Sequence, residues 1–183
     1  MNILMYKYRY FFGLFLLFQL NIFGQNTEIE TIKWSSEKLI WKDFKGAPKP
    51  NQEQHVASVR SGITYTWSYE AKDDKIKLDF EVFSNFYPQH SWVVSGEETP
   101  GLLKHEQLHF DISELYARKL RSAFKAYVPM RNIRRDLTRI YQKIEMERKR
   151  TQLLYDRQTN HGLQKEAQQE WETRIATELA ESM

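Results

Sequence analysis

The helical part of the chain begins with residues 100–124, which read PGLLKHEQLHFDISELYARKLRSAF. Apolar residues recur at three- and four-residue spacing, as at Leu108 and Ile112, which is the period of an amphipathic helix. The segment starts with a proline, which is favoured in the first turn of a helix. Glu97 and Glu98 lie just upstream, where the helix dipole favours negative charge. These signals predict one long helix over the whole segment.

Two segments with alternating hydrophobicity precede this helix. In residues 56–69 the apolar residues Val59, Ile63, Tyr65 and Trp67 fall at odd positions, and in residues 75–83 apolar residues occupy every second position. Both patterns predict a strand with one buried face. A polar turn at residues 71–74 joins them, so we expect a β-hairpin. Residues 91–94 are expected to form a third short strand.

Two further helices are expected after Pro129. Residues 133–144 keep a strict apolar spacing of three and four, with basic residues on the other face. Another helix is expected from about Asn160 to Leu179, with Thr159 as its N-cap. The predicted fold class is α+β, with an N-terminal β-hairpin or small antiparallel sheet followed by three C-terminal helices. We expect a single domain over residues 25–183.

The composition of the 183-residue chain is that of an ordinary globular protein. It contains 27 basic and 24 acidic residues, a formal net charge of +3, which is too balanced to predict nucleic-acid binding. The chain has no cysteine, which excludes disulfides, iron–sulfur clusters, zinc–thiolate sites and cysteine nucleophiles.

Residues 1–24 have the layout of a secretory signal peptide. Two basic residues precede an apolar run at residues 11–18, and the small residue Gly24 suits cleavage before Gln25. The run is about half as long as the ~20 residues needed to span a bilayer, so an uncleaved anchor is the weaker alternative. We therefore expect a secreted or periplasmic protein with no membrane span after cleavage.

The sequence HEQLH at residues 105–109 is an HExxH motif inside the first helix. His105 and His109 are four positions apart and therefore share one helix face, where both imidazoles can bind one metal ion. Glu106 is rotated by about 100° from His105, near the metal but outside its ligand set. There it can accept a proton from a water that zinc activates. The alternative is two histidines on an ordinary amphipathic helix.

A catalytic zinc ion usually has three protein ligands, so one more must come from another part of the chain. His161 is the first candidate; it lies in residues 155–162 (YDRQTNHG), where Gly162 permits close approach of the backbone. Asp156 is the next candidate, as a ligand or as a group that orients a ligand histidine. The alternative for His161 is a solvated histidine in a loop.

Two residues are candidates for stabilising an oxyanion. His90 could line the cleft, although a lone histidine beside a tryptophan such as Trp92 is more often structural. Tyr155 is a comparable candidate. His55 lies in a polar loop and is expected to be solvated.

Several of these motifs together resemble one family of uncharacterised bacterial domains, described as predicted secreted zinc-dependent proteases. The resemblance is carried by residues 103–112 (LKHEQLHFDI), 155–156 (YD) and 159–162 (TNHG), and upstream by residues 41–44 (WKDF), Gly46 and residues 91–92 (SW). It extends over most of the chain after residue 24.

The resemblance implies a zincin-like metallopeptidase. His105 and His109 would then be zinc ligands and Glu106 the general base. The family's Tyr-Asp and His-Gly pattern falls on Asp156 and His161 of this chain.

The sequence therefore predicts a secreted zinc-dependent metallopeptidase that acts on a peptide or protein substrate. Another zinc-dependent amide hydrolase of the cell envelope is an alternative, because fold and motif do not separate the two. A non-catalytic, metal-stabilised binding module is a third hypothesis. Glu106 argues against it, since a structural zinc site has no need of a base.

The N-terminal segment gives a first prediction. The exported protein is expected to begin near Gln25, because Gly24 is the small residue that follows the apolar run. Mass spectrometry of the exported protein measures its first residue. An intact Met1 on membrane-integrated protein would contradict the prediction and indicate an anchor.

Overall fold

A computed structural model describes residues 29–48, 55–73 and 75–182. The signal peptide expected at residues 1–24 lies outside these residues. In chain order the elements are β1 (Ile32–Lys33), a 3-10 turn (Trp41–Asp43), β2 (Ala57–Ser58), β3 (Ser61–Lys72), β4 (Lys75–Phe86), a second 3-10 turn (Pro88–His90), β5 (Trp92–Val93), α1 (Pro100–Ala126), α2 (Ile133–Thr159) and α3 (Lys165–Glu181).

Within residues 29–48, 55–73 and 75–182 the strands form two small antiparallel sheets. β3 and β4 make the predicted hairpin, whose register runs from Ser61 opposite Phe86 to Lys72 opposite Lys75, and β1 adds to the other edge of β4. β2 pairs with β5 in a separate two-stranded sheet. The α+β class is confirmed, with a small antiparallel sheet followed by three helices. The zincin-like character of the fold stays a prediction.

The first helix agrees with the sequence prediction, and the boundary between the other two does not. α1 begins at Pro100, where the Thr99 side chain accepts a hydrogen bond from the backbone N–H of Leu102. The predicted N-cap of the last helix, Thr159, is instead the last residue of α2, and α3 begins only at Lys165. In the part of the chain described here, none of the helices has the length and apolarity needed to cross a membrane.

α1 is the central element of the core. Its residues Ile112, Ala117 and Leu120 have no exposed surface, because the hairpin covers one side of the helix and α2 and α3 cover another. The main core combines side chains from both strands of the hairpin and from all three helices: Ile63, Val82, Leu108, Ile112, Leu115, Leu120, Phe124, Leu137, Ile144, Tyr155, Trp171 and Ile175.

A second contact holds the N-terminal segment against α1. The buried carboxylate of Asp111 accepts hydrogen bonds from Trp34 Nε1 at 2.7 Å, Gln107 Nε2 at 2.8 Å and Lys38 Nζ at 3.0 Å. Gln107 in turn accepts a hydrogen bond from the backbone N–H of Leu39 at 2.8 Å. The polar residues of α1 on this side are therefore fixed by the segment that precedes the hairpin.

The Asp111 network gives a stability prediction. Asp111→Ala is expected to lower the free energy of unfolding by about 1–3 kcal/mol, because it leaves the N–H groups of half-buried Trp34 and buried Gln107 without acceptors. Lys38→Ala is the control, since the Lys38 side chain is 59% exposed and such ion pairs contribute ~0–1 kcal/mol. Urea unfolding measures both changes. Equal losses in the two variants would contradict the prediction.

Candidate metal centre

The two histidines of the HExxH motif converge on one carboxylate of the neighbouring helix. α1 presents His105 and His109 to α2, where Asp156 lies three residues before the end of the helix. Asp156 Oδ1 is 3.3 Å from Nε2 of His105 and 2.8 Å from Nε2 of His109. One turn of α1 and one side chain of α2 therefore place three donor atoms around a common point.

Two glutamines hold the other nitrogens of these imidazoles. Gln168 Oε1 of α3 lies 3.2 Å from Nδ1 of His105, and Gln152 Oε1 of α2 accepts a hydrogen bond from Nδ1 of His109. Because an amide oxygen only accepts, each Nδ1 carries a hydrogen, and each Nε2 is the nitrogen that faces Asp156. Histidines that bind metals typically have this arrangement, in which a partner at one nitrogen orients the other.

His161 reaches the same point from the turn after α2. Asn160, His161 and Gly162 all have left-handed backbones, with φ values of 46°, 55° and 83°. The turn folds back onto α1 and brings His161 Nδ1 to 3.7 Å from Asp156 Oδ1, with the His161 side chain 52% exposed. A left-handed backbone is strained for residues other than glycine, and such strain is concentrated at functional sites.

Gly162 packs directly behind the first histidine. A Cβ atom at this position would lie 3.1 Å from Cβ and Cγ of His105, closer than ordinary van der Waals contact. A side chain here would therefore need His105 to shift by a few tenths of an ångström, and the positive φ also favours glycine. This fits the close backbone approach expected from the sequence.

The arrangement of donors fits a metal ion. His105, Asp156 and His161 each offer one donor atom, and the three atoms lie within 4.8 Å of one another. Tetrahedral bonds of about 2.0–2.1 Å place two donors about 3.3 Å apart. The distances of 3.3, 2.8 and 3.7 Å from Asp156 Oδ1 to the three imidazoles are close to this value. These residues could hold a metal ion; their assignment as ligands stays a prediction.

The electrostatics of the group also favour a cation. Burial acts to raise the pKa of Asp156, but hydrogen bonds with His105 and His109 hold it well below its usual range, so the carboxylate stays ionised. Burial acts to lower the pKa of His109, but its hydrogen bond to Asp156 and the charges of Glu106 and Asp156 outweigh this and raise it. The same negative potential attracts a metal cation.

Glu106 lies beside the group but faces the other wall of a cleft. Its side chain is 5% exposed, and burial raises its pKa above the ordinary value, which His109 and His105 offset only in part. The backbone N–H of Val59, which precedes β3, is directed at its carboxylate. Glu106 is thus a carboxyl group held in place next to the candidate ligands.

All these residues line one cleft of about 1070 Å³. One wall is the segment 55–61, which contains β2, and the other is the face of α2 from Arg148 to Asn160. α1 contributes Leu102 and the HExxH side chains between the two walls. The candidate metal group is therefore open to solvent and to a ligand of peptide size on one side.

Part of the chain matches a known protein family. Residues 88–162 match the model of a family described as a bacterial protein of unknown function, DUF922. These residues are similar to that family, and we call them the DUF922 segment. This match confirms the family resemblance found in the sequence. No curated protein and no solved structure matches the chain significantly.

The DUF922 segment contains every site residue predicted from the sequence, and the structure brings five of them together. These are His105, Glu106, His109, Asp156 and His161. The cleft wall at residues 55–61 and the partner Gln168 lie outside the segment.

The two oxyanion candidates are not placed where the sequence analysis expected them. Tyr155 has no exposed surface; its ring stacks on His105 and its hydroxyl donates to Gln168 Oε1 at 2.7 Å. Burial also raises its pKa, so the phenol stays neutral and supports His105 from behind. His90 ends the second 3-10 turn, is exposed and is not among the residues that line the cleft.

Three contributors to the site were missed in the sequence. Gln152 and Gln168 hold the imidazoles, and His55 lines the cleft with its ring 4.9 Å from the ring of His161. Helical spacing offered a signal for Gln152, which lies one turn before Asp156 and so shares its face. No local pattern indicates Gln168 or His55.

Gly162 gives a prediction with a matched control. Gly162→Ala is expected to displace His105 and to weaken zinc binding about tenfold or more, as is usual when a residue that supports a ligand is lost. Gly96 also has a positive φ, of 92°, but a Cβ there would meet nothing within 4 Å. Gly96→Ala should therefore cost about 1–2 kcal/mol of stability and leave zinc affinity unchanged.

Competition titration of zinc against a chromophoric chelator measures both affinities. Equal zinc affinities in the two variants would show that Gly162 does not position His105.

Proposed function

We propose that this protein is a zinc-dependent peptidase. The observation that carries the proposal is the convergence of the two HExxH imidazoles, each oriented by a glutamine, on Asp156 beside an open cleft. The DUF922 match alone supplies no activity, because that family is described as being of unknown function. Zinc is proposed because a set of imidazoles and one carboxylate is typical of its catalytic sites.

The residues that would hold zinc are His105, His109 and a third ligand from the end of α2. Asp156 and His161 both reach the same point, so each is a candidate for that third position. A bound zinc ion supplies Lewis acidity, which polarises a carbonyl and lowers the pKa of water. The orientation of the imidazoles comes from Gln152 and Gln168.

Glu106 is proposed as the general base. Its carboxylate is adjacent to the imidazoles, lines the cleft and has a raised pKa, which makes it a stronger base than an exposed glutamate. It would accept the proton of the attacking water while the peptide carbonyl is held next to it. The N–H of Val59 restricts the orientation of the carboxylate on the side of the cleft wall.

The open cleft favours an enzyme over a metal-stabilised binding module. A structural zinc site has a closed set of ligands, whereas these donors come from one side and the cleft lies on the other. Burial of the Glu106 carboxyl at such a cleft also has a desolvation cost, which the N–H of Val59 and the two imidazoles offset only in part. Both features are expected of a hydrolytic site.

Export and a peptide substrate are part of the same proposal. The signal-like residues 1–24 support secretion or transfer to the periplasm. A cleft bordered by an extended segment and a helix suits an extended polypeptide chain. Another zinc-dependent amide hydrolase of the cell envelope would use the same residues, so cleavage of peptides is the property to be tested.

Replacement of Glu106 tests the proposal directly. Glu106→Gln keeps the shape of the side chain and removes the base, so hydrolysis of a peptide library should fall by about 10²-fold or more. Zinc content, measured by mass spectrometry of the metal, should remain about one per chain. Glu170→Gln is the control, because Glu170 is exposed on α3 and lies outside the cleft.

Full zinc-dependent hydrolysis by Glu106→Gln would contradict the role of Glu106. His109→Ala should lose zinc and activity together; full zinc occupancy in that variant would place the metal elsewhere. Comparison of His161→Ala with Asp156→Ala identifies the third ligand, because loss of a ligand weakens both zinc binding and the stability coupled to it.

A further inference from the structure

The cleft has two distinguishable ends, which contacts between its walls define. At one end the ring of His55 packs against the ring of His161, with centroids 4.9 Å apart. At the other end Ser61 Oγ lies 2.8 Å from Ser113 Oγ, which also accepts a hydrogen bond from Arg148 Nη1 at 3.0 Å. The segment that contains β2 and the face of α2 therefore run in opposite directions along the cleft.

The lengths of the two walls agree with each other. The segment 55–61 spans at most about 20 Å when extended. On α2, the stretch from Arg148 to Thr159 rises about 17 Å at 1.5 Å per residue. A cleft of this length accommodates about five residues of an extended peptide at ~3.3 Å each. Asp156 lies close to one end of it, so most of the cleft extends towards Arg148.

The charges that line the cleft are unevenly distributed along it. Its basic residues are Arg60, Arg148 and Lys149, and all three lie at the Ser61 end, which we call the basic end. The opposite end is lined mainly by apolar and acidic side chains, namely Val56, Leu102, Leu163 and Glu97. An extended ligand therefore meets a positive potential on one side of the metal group only.

The positive charge of the basic end is only partly neutralised. Glu145 accepts two hydrogen bonds from Arg148, both at 2.7 Å, and lies 3.7 Å from Lys149 Nζ. Arg60 is exposed and has no carboxylate within 4.0 Å in the described part of the chain. In the residues that the structure describes, the three cations of the basic end thus face one anion, Glu145.

Arg148 is held ready to bind an anion. Its side chain is buried, and Glu145 and Ser113 use three of its five N–H groups. Among the described residues the remaining two have no acceptor, so they can donate to a ligand in the cleft that Arg148 lines. A guanidinium fixed in this way loses little side-chain entropy on binding a carboxylate.

We infer that the basic end binds a carboxylate of the substrate, about three residues from the peptide bond that is cleaved. Arg148 and Lys149 precede Asp156 by eight and seven residues, or about 10–12 Å along the helix, which equals three to four residues of extended peptide. The position of the scissile bond is taken from the metal group, so this part rests on the proposed function. An acidic side chain and a free C-terminus offer the same group.

Peptide binding tests the inference without relying on catalysis. The probes are dansyl-labelled, alanine-based octapeptides with an amidated C-terminus that contain one Glu, and matched peptides with Gln in its place. A third set has Gln and a free C-terminal carboxylate. Fluorescence anisotropy with zinc-loaded Glu106→Gln protein should show about three- to tenfold tighter binding of the Glu peptides than of the Gln peptides, a preference that salt reduces.

Substitution of the exposed basic residues of the basic end tests whether they cause the preference for a carboxylate. The double variant Arg60→Gln/Lys149→Gln is expected to lose most of the preference, while its folding should be unaffected because both side chains are exposed. Arg150→Gln is the matched control, since Arg150 is exposed on the same helix but does not line the cleft. A preference that survives unchanged in the double variant would overturn the inference.

The outcomes separate this inference from the proposed function. If the wild-type protein cleaves the peptides, mass spectrometry should place the cut three or four residues from the Glu, or from the C-terminus in the third set. Cleavage in which neither the Glu peptides nor the peptides with a free C-terminus are preferred over the amidated Gln peptides keeps the peptidase and overturns the carboxylate site. Equal or absent binding of all three sets also overturns the carboxylate site. A binding preference without any cleavage keeps the carboxylate site and overturns the peptidase.

Discussion

The burial of two histidines on one face of α1 is the constraint on which the arrangement of the helices depends. The side chains of His105 and His109 are only 3% and 14% exposed, and buried imidazole nitrogens need partners. Gln152 of α2 and Gln168 of α3 satisfy one nitrogen of each ring, and Asp156 satisfies the other. Both helices must therefore pack at fixed positions against α1, and the cleft is the space left between α2 and the segment that contains β2.

The five residues of the HExxH motif point in different directions and contact different parts of the structure. A rotation of about 100° per residue directs His105 and His109 to α2, and Glu106 to the cleft. Gln107 turns to the N-terminal segment and Leu108 enters the main core. Each position of the motif thus has its own neighbours. This explains why buried ionisable side chains can stand next to an apolar core residue in the same helical turn.

Local patterns predicted the hairpin and α1 because alternation and helical period are properties of neighbouring residues. The boundary after α2 was wrong because Thr159 and Asn160 suit a helix start as well as a left-handed helix end, and apolar spacing does not distinguish them. The candidate metal residues could be found because their spacing is itself the signal. The role of Tyr155 could not be predicted from the sequence, because it depends on the partner of the phenol hydroxyl. That partner is Gln168 of α3, which is distant from any local pattern. For loop residues such as His55, only the folded chain shows which one meets the site.

The candidate ligands come from two helices that are far apart in sequence, and this spacing has a consequence for the unfolded chain. A cation shared by His109 and Asp156 would close a loop of about 50 residues, and a permanent cross-link of that size removes conformational entropy worth about 4 kcal/mol. The chain has no cysteine and therefore cannot form such a link as a disulfide. Its resistance to unfolding would then depend on the logarithm of the free metal concentration around it, so that the same molecule is robust in one medium and fragile in another.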